Sequence, residues 1–389
     1  MTRKTTPLTS VRFLAAFLVL LHHSVRTFLP VFSGRGAHGV PEDYIGIVSL
    51  AFPVSVSFFF LLSGYVLSFV YLHNKSPIDK SEFFAARFAR LYPLYFVVLV
   101  LNMPALLLSE GQRYGLRIGL IKTAEIFAAN VMLVQSWYAS RLLRVNRPTW
   151  SLCEEVFFYV CFPLLGALLW RLRGARLWIT ALVLYVGGQA LGWSIRPHLN
   201  LETALSLPPL HLSTFALGIL LARWQTLPDG RDDRKSKSPV QVWQVNIVLA
   251  LSIGGVLLSV PLVPLFVVPA PYNNGMLAPI FAGFIWALTV IPTPLSRWLC
   301  GRWLIALGNS SYALYLIHTP ILDLFERLHW VNRMFYPVYL ALCVGLSLLS
   351  FHLFETPVRL WLLERFHTRS LRNTTAAIST SRTRNLQSL

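Results

Sequence analysis

The chain has 389 residues, of which 55% are hydrophobic and only 13% are charged, and its mean hydropathy is +0.58. A soluble globular domain carries about 25% charged residues, so this composition argues against that class. The net charge of +18 would suit a nucleic-acid-binding protein, but the basic residues lie between long apolar runs, as in proteins that orient themselves in a bilayer. We therefore expect a membrane protein that binds no nucleic acid.

Eleven apolar segments follow one another along the chain, and they are too long and continuous to be barrel strands. The segments are 10–29, 47–72, 92–108, 118–134, 150–170, 177–193, 207–224, 242–260, 275–292, 304–325 and 337–354. Because a transmembrane helix needs about 20 mostly apolar residues, nearly all of them are candidate spans.

The segment 118–134 is the exception, because it contains Lys122, Glu125 and Asn130, which are costly in lipid. If it is an interfacial or re-entrant helix, most basic loops fall on the side of the N-terminus, as the positive-inside rule requires. The fold class predicted is an all-α membrane bundle of about ten transmembrane helices plus this helix. Both termini are then cytoplasmic, in an inner or plasma membrane. Arg141, Arg144 and Arg147 then lie on the other side, where they are candidates for binding an anionic substrate.

The sequence also predicts the character of the two ends of the chain and of its cysteines. The first apolar run is expected to be a retained anchor because it shows no clear cleavage site. We expect residues 6–361 to form one membrane domain and residues 362–389, rich in Ser, Thr, Arg and Asn, to be a disordered basic cytoplasmic tail. The four cysteines have no metal-ligand spacing, and no metal site is predicted.

The first segment carries two ionisable residues, Arg12 and His23, eleven positions apart. Eleven residues are close to three full helical turns, so both side chains share one face, separated by about 16 Å. Arg12 would lie near the cytoplasm and His23 beyond the middle of the membrane. Histidine is the usual general base near neutral pH, which makes His23 a catalytic candidate. A snorkelling arginine and a structural histidine remain the alternative.

Further polar residues precede or interrupt later segments. Arg87 and Arg90 share a helix face before a membrane entry, where paired guanidiniums suit phosphate or simply set the topology. Glu154 and Glu155 follow Trp150 at the start of a helix, where one of them is expected to face the bundle and Glu154 to act as a capping residue. His318 lies within a predicted span and is either structural or part of a cavity.

Taken together, these residues resemble the acyltransferase-3 family of membrane acyltransferases, over about residues 6–361. The motifs that carry the resemblance are Arg12 with His23, Phe58-Phe-Phe-Leu-Leu-Ser63-Gly64-Tyr65, Arg87 and Arg90 before Pro93, Trp150-Ser151-Leu152 with Glu155 and Tyr159, Ser311-Tyr312 through His318, and Glu355 with Pro357. In this alignment Glu155 takes the place of the family glutamate. Glu154 stands where the family usually has an apolar residue.

The resemblance implies about ten helices and transfer of an acyl group, often acetyl, from cytoplasmic acyl-CoA to a hydroxyl of a cell-envelope glycan, lipid-linked sugar or related metabolite. It also implies that Arg12 and His23 are essential, with Glu155 as a third catalytic residue. Arg87 and Arg90 are then expected at the phosphates of acyl-CoA, which is a co-substrate and not a bound cofactor. A set of four residues is expected to contact the acceptor or line its cavity, namely Trp150, Ser151, Tyr159 and His318.

Two other functions compete with this hypothesis. A transporter or flippase for a lipid-linked sugar would show repeated halves with broken helices, and the sequence has no such symmetry. A sensor or scaffold without chemistry would tolerate the loss of His23, which an acyltransferase would not.

Overall fold

The computed structural model describes residues 5–29, 53–73, 78–227, 242–260 and 272–366, and within these ranges the chain is helical with no strand. The helices are α1 Thr6–Phe28, α2 Val54–Tyr71, α3 Lys80–Tyr114, α4 Leu116–Val131, α5 Ala139–Leu142, α6 Trp150–Leu169, α7 Gly174–Ile195, α8 Leu201–Ser206, α9 Pro208–Thr226, α10 Val242–Ser259, α11 Ala278–Val290, α12 Pro294–Leu299, α13 Arg302–Asn309, α14 Ser311–Arg327 and α15 Tyr336–Phe366. The tail beyond residue 366 and the basic residues at 3–4 and 231–237 lie outside the described residues.

Eight of the described helices are long and apolar enough to cross a membrane, namely α1, α2, α3, α6, α7, α9, α10 and α15. The predicted all-α membrane bundle is therefore confirmed. The two other predicted spans fall on shorter helices. The segment 275–292 becomes α11, with 13 residues, and the segment 304–325 divides at Ser310 into α13 and α14. α14 has 17 residues, or about 26 Å of helix.

The predicted interfacial segment corresponds to α4, which has 16 residues and so measures about 24 Å. This is less than the hydrocarbon thickness of about 30 Å. Gly115, whose φ is 79°, joins it to the 35-residue helix α3, and the two helices pack side by side. Arg87 and Arg90 thus lie inside the continuous helix α3.

The centre of the bundle is formed by α1, which contacts α2, α13 and α14, and by α9, which contacts α2, α6 and α7. Helices α7, α10 and α15 are mostly exposed, as expected for helices that face lipid. The buried apolar side chains between α2, α6, α9 and α14 include Phe60, Phe158, Phe215 and Leu316. This arrangement brings the polar residues of α1, α3, α6 and α14 toward one interior space.

The contact between α2 and α9 depends on two glycines. A Cβ on Gly218 would overlap the carbonyl oxygen of Leu61, and a Cβ on Gly64 would overlap the carbonyl oxygen of Phe215. Small residues let transmembrane helices approach closely enough for such backbone contact. The two helices consequently cannot keep this spacing if either glycine gains a side chain.

We expect Gly218→Ala to lower the thermal unfolding temperature of the protein in detergent, because overpacking typically costs about 1–3 kcal/mol. The matched control is Gly187→Ala on α7, where an added Cβ meets no atom within 4 Å. The control should leave the unfolding temperature unchanged or raise it slightly, since alanine favours helix over glycine. Equal unfolding temperatures for the two variants would contradict the close helix contact.

Candidate active site

A cavity opens between α1, α2, α3, α6 and α14, and it encloses about 730 Å³ of space including its mouth. Its polar wall consists of Arg12, Ser63, Arg90, Ser151, Glu155, Tyr159, Ser311, Tyr312 and Tyr315, and its apolar wall of Val56, Phe59, Phe60, Leu91 and Leu152. Five separate stretches of sequence therefore meet at one buried polar space. Such a concave site with a few convergent polar groups is the usual form of a small-molecule site.

Two arginines in the cavity wall form no ion pair with an acidic residue in the described ranges. Neither Arg12 nor Arg90 has a carboxylate within 4.0 Å in the described part of the chain, although Glu155 lines the same cavity. Glu155 instead accepts a hydrogen bond from the Tyr159 hydroxyl at 2.5 Å and a long one from Ser63 at 3.5 Å. Guanidinium groups left unpaired in a cavity are suited to an anionic ligand.

Arg87 does not line the cavity, but it contacts Tyr159, which does. Its guanidinium stacks on the rings of Tyr71 and Tyr159, with 5.7 and 5.9 Å to the ring centroids. It also donates a hydrogen bond to the Tyr71 hydroxyl at 3.4 Å. Arg87 therefore holds Tyr159 in the wall, while Arg90, three residues later, reaches the cavity itself.

A series of ring contacts leads from the cavity wall at Tyr315 to two histidines. The Tyr315 and His318 rings are 6.2 Å apart between centroids, and the His318 and His23 rings are 5.4 Å apart. Neither histidine lines the cavity, but Tyr315, which does, is in ring contact with His318. The sequence predicts Arg12 and His23 on one face of α1. In the structure they lie at the two ends of a row of polar side chains that passes through Tyr315 and His318, which we call the polar tract.

The two imidazoles differ in their hydrogen bonding. Nδ1 of His318 lies 3.1 Å from the carbonyl oxygen of Leu314, which can only accept, so Nδ1 carries the proton. Nε2 of His318 then accepts from the Thr319 hydroxyl at 3.2 Å. In contrast, no residue in the described ranges hydrogen-bonds to a ring nitrogen of His23. Among the described residues, the ring nitrogens of His23 are therefore the ones left without a hydrogen-bond partner.

The remaining predicted site residues fall into two groups. Ser151 lines the cavity and shares a 2.7 Å hydrogen bond with the Tyr315 hydroxyl, which also donates to the Pro148 carbonyl. Trp150 is not part of the cavity lining, and its ring packs against Phe60 and His211, at 6.1 and 5.6 Å between ring centroids. Trp150 thus supports the wall and does not form its surface.

The expectation that Glu154 caps its helix is wrong. Glu154 is fully buried, and its carboxylate lies 3.7 Å from Nε2 of His211, which is 1% exposed. Glu154 and Glu155 are adjacent, so they point about 100° apart on α6, and Glu155 takes the cavity side. The sequence left His211 unassigned, because nothing in it shows that α9 begins beside α6.

Comparison with known proteins identifies the family to which the chain belongs. A family model described as an acyltransferase domain matches residues 8–352. The chain is 32% identical over 192 residues to the acyltransferase MdmB of Streptomyces mycarofaciens, covering 43% of this chain and 46% of that protein. It is 27% identical over 341 residues to the O-acetyltransferase OatA of Staphylococcus aureus, covering 79% of this chain and 52% of that protein. It is also 27% identical over 176 residues to nodulation protein 10 of Rhizobium leguminosarum bv. viciae, covering 42% of this chain and 45% of that protein.

The chain thus spans about half the length of the curated relatives it matches. No solved structure matches it. The family model, however, covers nearly all of the helices described above, including every one that lines the cavity. The chain belongs to the acyltransferase-3 family of multi-pass membrane proteins.

Proposed function

We propose that this protein is a membrane O-acyltransferase that moves an acyl group, in the first instance acetyl, from cytoplasmic acyl-CoA to a hydroxyl of a cell-envelope glycan, a lipid-linked sugar or a related metabolite. The observation that carries the proposal is the polar tract through the bundle, with two unpaired arginines in a cavity at one end and an open imidazole at the other. The similarity to MdmB, an acyltransferase, and OatA, an O-acetyltransferase, supports the same chemistry.

The arginines of the cavity form the proposed donor end. Acyl-CoA is polyanionic, and Arg12 and Arg90 offer guanidiniums with no competing carboxylate within 4.0 Å in the described residues. Arg87 adds positive charge behind Tyr159. Guanidinium groups bind phosphate through paired hydrogen bonds, which favours this end for the phosphates and leaves the thioester to reach toward Tyr315. We place this end at the cytoplasmic face, with both termini of the chain.

His23 is the proposed general base at the acceptor end. It removes the proton from the acceptor hydroxyl while that oxygen attacks the carbonyl carbon of the thioester. The new carbon–oxygen bond forms, the carbon–sulfur bond breaks, and the CoA thiolate leaves. The proton taken by His23 balances the thiolate, which is released as CoA after protonation. An alternative order, in which His23 first accepts the acyl group and then passes it on, uses the same residue.

Glu155 is proposed to position groups at the reacting centre. It accepts from Tyr159 and Ser63, which both line the cavity, and it lies on α6 one turn after Ser151. A carboxylate held in this way limits the rotation of Tyr159 and keeps negative charge near Arg12 and Arg90. Ser151 and Tyr159 are the proposed polar contacts of the substrate, and Trp150 and His318 support the walls on either side.

The donor assignment predicts the kinetics of an Arg90 variant in protein reconstituted in lipid with radiolabelled acetyl-CoA and a mixture of envelope glycans. For Arg90→Gln we expect the KM for acetyl-CoA to rise by about tenfold or more, because a lost hydrogen bond to a charged group typically costs about 1.5–3 kcal/mol. The KM for the acceptor should stay the same.

The matched control is Arg113→Gln, which removes the same charge from the exposed far end of α3. The control should leave the KM for acetyl-CoA unchanged. A normal KM in Arg90→Gln would remove Arg90 from the donor site. Failure of the unmodified protein to transfer acetyl from acetyl-CoA to any acceptor would count against the proposed function and favour a transporter.

A further inference from the structure

Three arginines outside the proposed mechanism lie on the connection between α4 and α6. Arg141, Arg144 and Arg147 are all exposed, and the positive-inside rule does not explain them in the predicted topology. They precede Ser151 and Glu155 in the chain and lie at the end of α6 that is nearer to the histidines. Their position beside the acceptor end of the polar tract requires a reason other than orientation in the membrane.

The connection that carries them is fixed to the bundle by hydrogen bonds. The side chain of Asn146 donates to the Leu316 carbonyl at 2.8 Å, and the Tyr315 hydroxyl donates to the Pro148 carbonyl at 2.9 Å. Both anchors lie on α14 next to His318. Arg147 lies between these two anchors, and the ring of His318 is 5.4 Å from the ring of His23. The backbone of Arg147 is therefore held on the side of the bundle where the proposed general base lies.

The three arginines differ in how they are neutralised. Arg141 makes a close ion pair with Glu125, at 2.7 and 2.9 Å to its two carboxylate oxygens. Arg147 makes only a long, exposed pair with Glu202 at 3.6 Å. Arg144 has no carboxylate within 4.0 Å among the described residues, and its guanidinium donates weakly to the Ser140 carbonyl at 3.4 Å. Two of the three guanidiniums are thus available to a ligand.

We propose that Arg144 and Arg147 bind a phosphate or carboxylate group of the acceptor, close to the hydroxyl that is acylated, so that the acceptor is an anionic sugar compound. This rests on the proposed function and specifies its substrate class. An exposed ion pair such as Arg147–Glu202 contributes little, so an incoming anion displaces it at small cost. Arginine binds either anion through two parallel hydrogen bonds, which fixes the direction of the acceptor as well as its charge.

The test measures binding and does not require turnover. The full chain is placed in nanodiscs of phosphatidylcholine, with saturating CoA to occupy the donor arginines. Equilibrium dialysis then gives the dissociation constants of radiolabelled glucose 1-phosphate, methyl glucuronide and the neutral methyl glucoside. We expect at least one charged sugar to bind about tenfold more tightly than the neutral one, as for a charge-assisted hydrogen-bonded pair. A preference for the phosphate indicates a phosphate-linked acceptor, and a preference for the glucuronide indicates a sugar acid.

The variants decide whether the two arginines are responsible. Arg144→Gln and Arg147→Gln should each weaken binding of the charged sugar by about tenfold and leave the neutral sugar unaffected. Arg141→Gln, the matched control, should change neither, because Arg141 is occupied by Glu125.

Three results would overturn the inference. They are equal binding of charged and neutral sugars, an equal loss in Arg141→Gln, and a charge preference that disappears when phosphatidylglycerol replaces phosphatidylcholine. The last result would mean that the arginines bind lipid headgroups. Protein that transfers acetyl but binds all three sugars equally would refute this inference alone and leave the proposed function intact.

Discussion

Replacing His23 with alanine is expected to reduce acyl transfer by a factor of about 10² to 10⁴, the usual contribution of a general base. The expectation rests on the hydrogen bonding of the two neighbouring imidazoles. His318 has both ring nitrogens occupied by Leu314 and Thr319, whereas the described residues leave the nitrogens of His23 open. If His23 removes the acceptor proton, its loss should lower kcat and leave the KM for acetyl-CoA nearly unchanged, because the donor end lies eleven residues away on α1.

The matched control is His22→Ala, which removes the same side chain one position earlier. The His22 ring is in edge contact with that of His23, 4.9 Å away, but it projects from a different side of α1. This variant should keep most of the activity. Both variants need the elution profile and unfolding temperature of the unmodified protein before the rates are compared. A folded His23→Ala protein with a normal rate would exclude His23 as the base. An equal loss of rate in both variants would show that the loss is not specific to His23.

The polar residues of the candidate site were found largely from the sequence, because charges are rare in apolar segments and therefore conspicuous. Helical periodicity alone put Arg12 and His23 on one face of α1. The structure adds that Arg12 lines a cavity with Glu155 and that His23 lies beyond Tyr315 at its other end. Those relations join helices far apart in the chain, and no local pattern specifies which helices meet.

Helix boundaries were predicted less well, for identifiable physical reasons. The helix expected at 92–108 begins at Lys80, since Asp79 caps it by accepting from the Glu82 amide and the charged first turns continue the same helix. Hydropathy reports only the part within lipid, so it misses such extensions. The division of 304–325 at Ser310 was missed for a related reason. A break between two apolar helices leaves no gap in hydropathy.

Polar contacts between helices were the hardest to predict. Glu154 could be assigned to a helix start from its neighbours, but its partner His211 lies 57 positions later, at the beginning of α9. The same limit applies to the close approach of Gly64 and Gly218, which are both unremarkable glycines in apolar runs. In each case the property depends on tertiary packing, and the sequence supplies only the residue types.

We expect the buried contact between Glu154 and His211 to stabilise the protein. Single and double substitutions can separate the interaction between the two side chains from the contribution of each alone. His211 packs edge-on against Phe60, at 5.3 Å between centroids, and also against Trp150. Neither oxygen of the Glu154 carboxylate has a hydrogen-bond partner in the described residues. Nε2 of His211, which donates to the Leu205 carbonyl at 3.0 Å, lies 3.7 Å from this carboxylate and is the polar group that faces it. Removing one member of this contact leaves the other polar group without a partner in an apolar interior, which typically costs about 1–3 kcal/mol.

We therefore expect His211→Leu to lower the unfolding temperature strongly, and the double variant His211→Leu with Glu154→Leu to recover a large part of that loss. The recovery follows because two leucines need no hydrogen-bond partners, and replacing both members of a buried polar contact by apolar residues can be nearly neutral. The measurement is a double-mutant cycle of thermal unfolding, with Glu154→Leu as the fourth corner. Additive losses in the cycle would show that the two side chains do not interact. A coupled result would mean that the wall bearing Phe60 and Ser151 is kept in place by a polar contact behind it, since Glu154 lies on the same helix as Ser151 and Glu155.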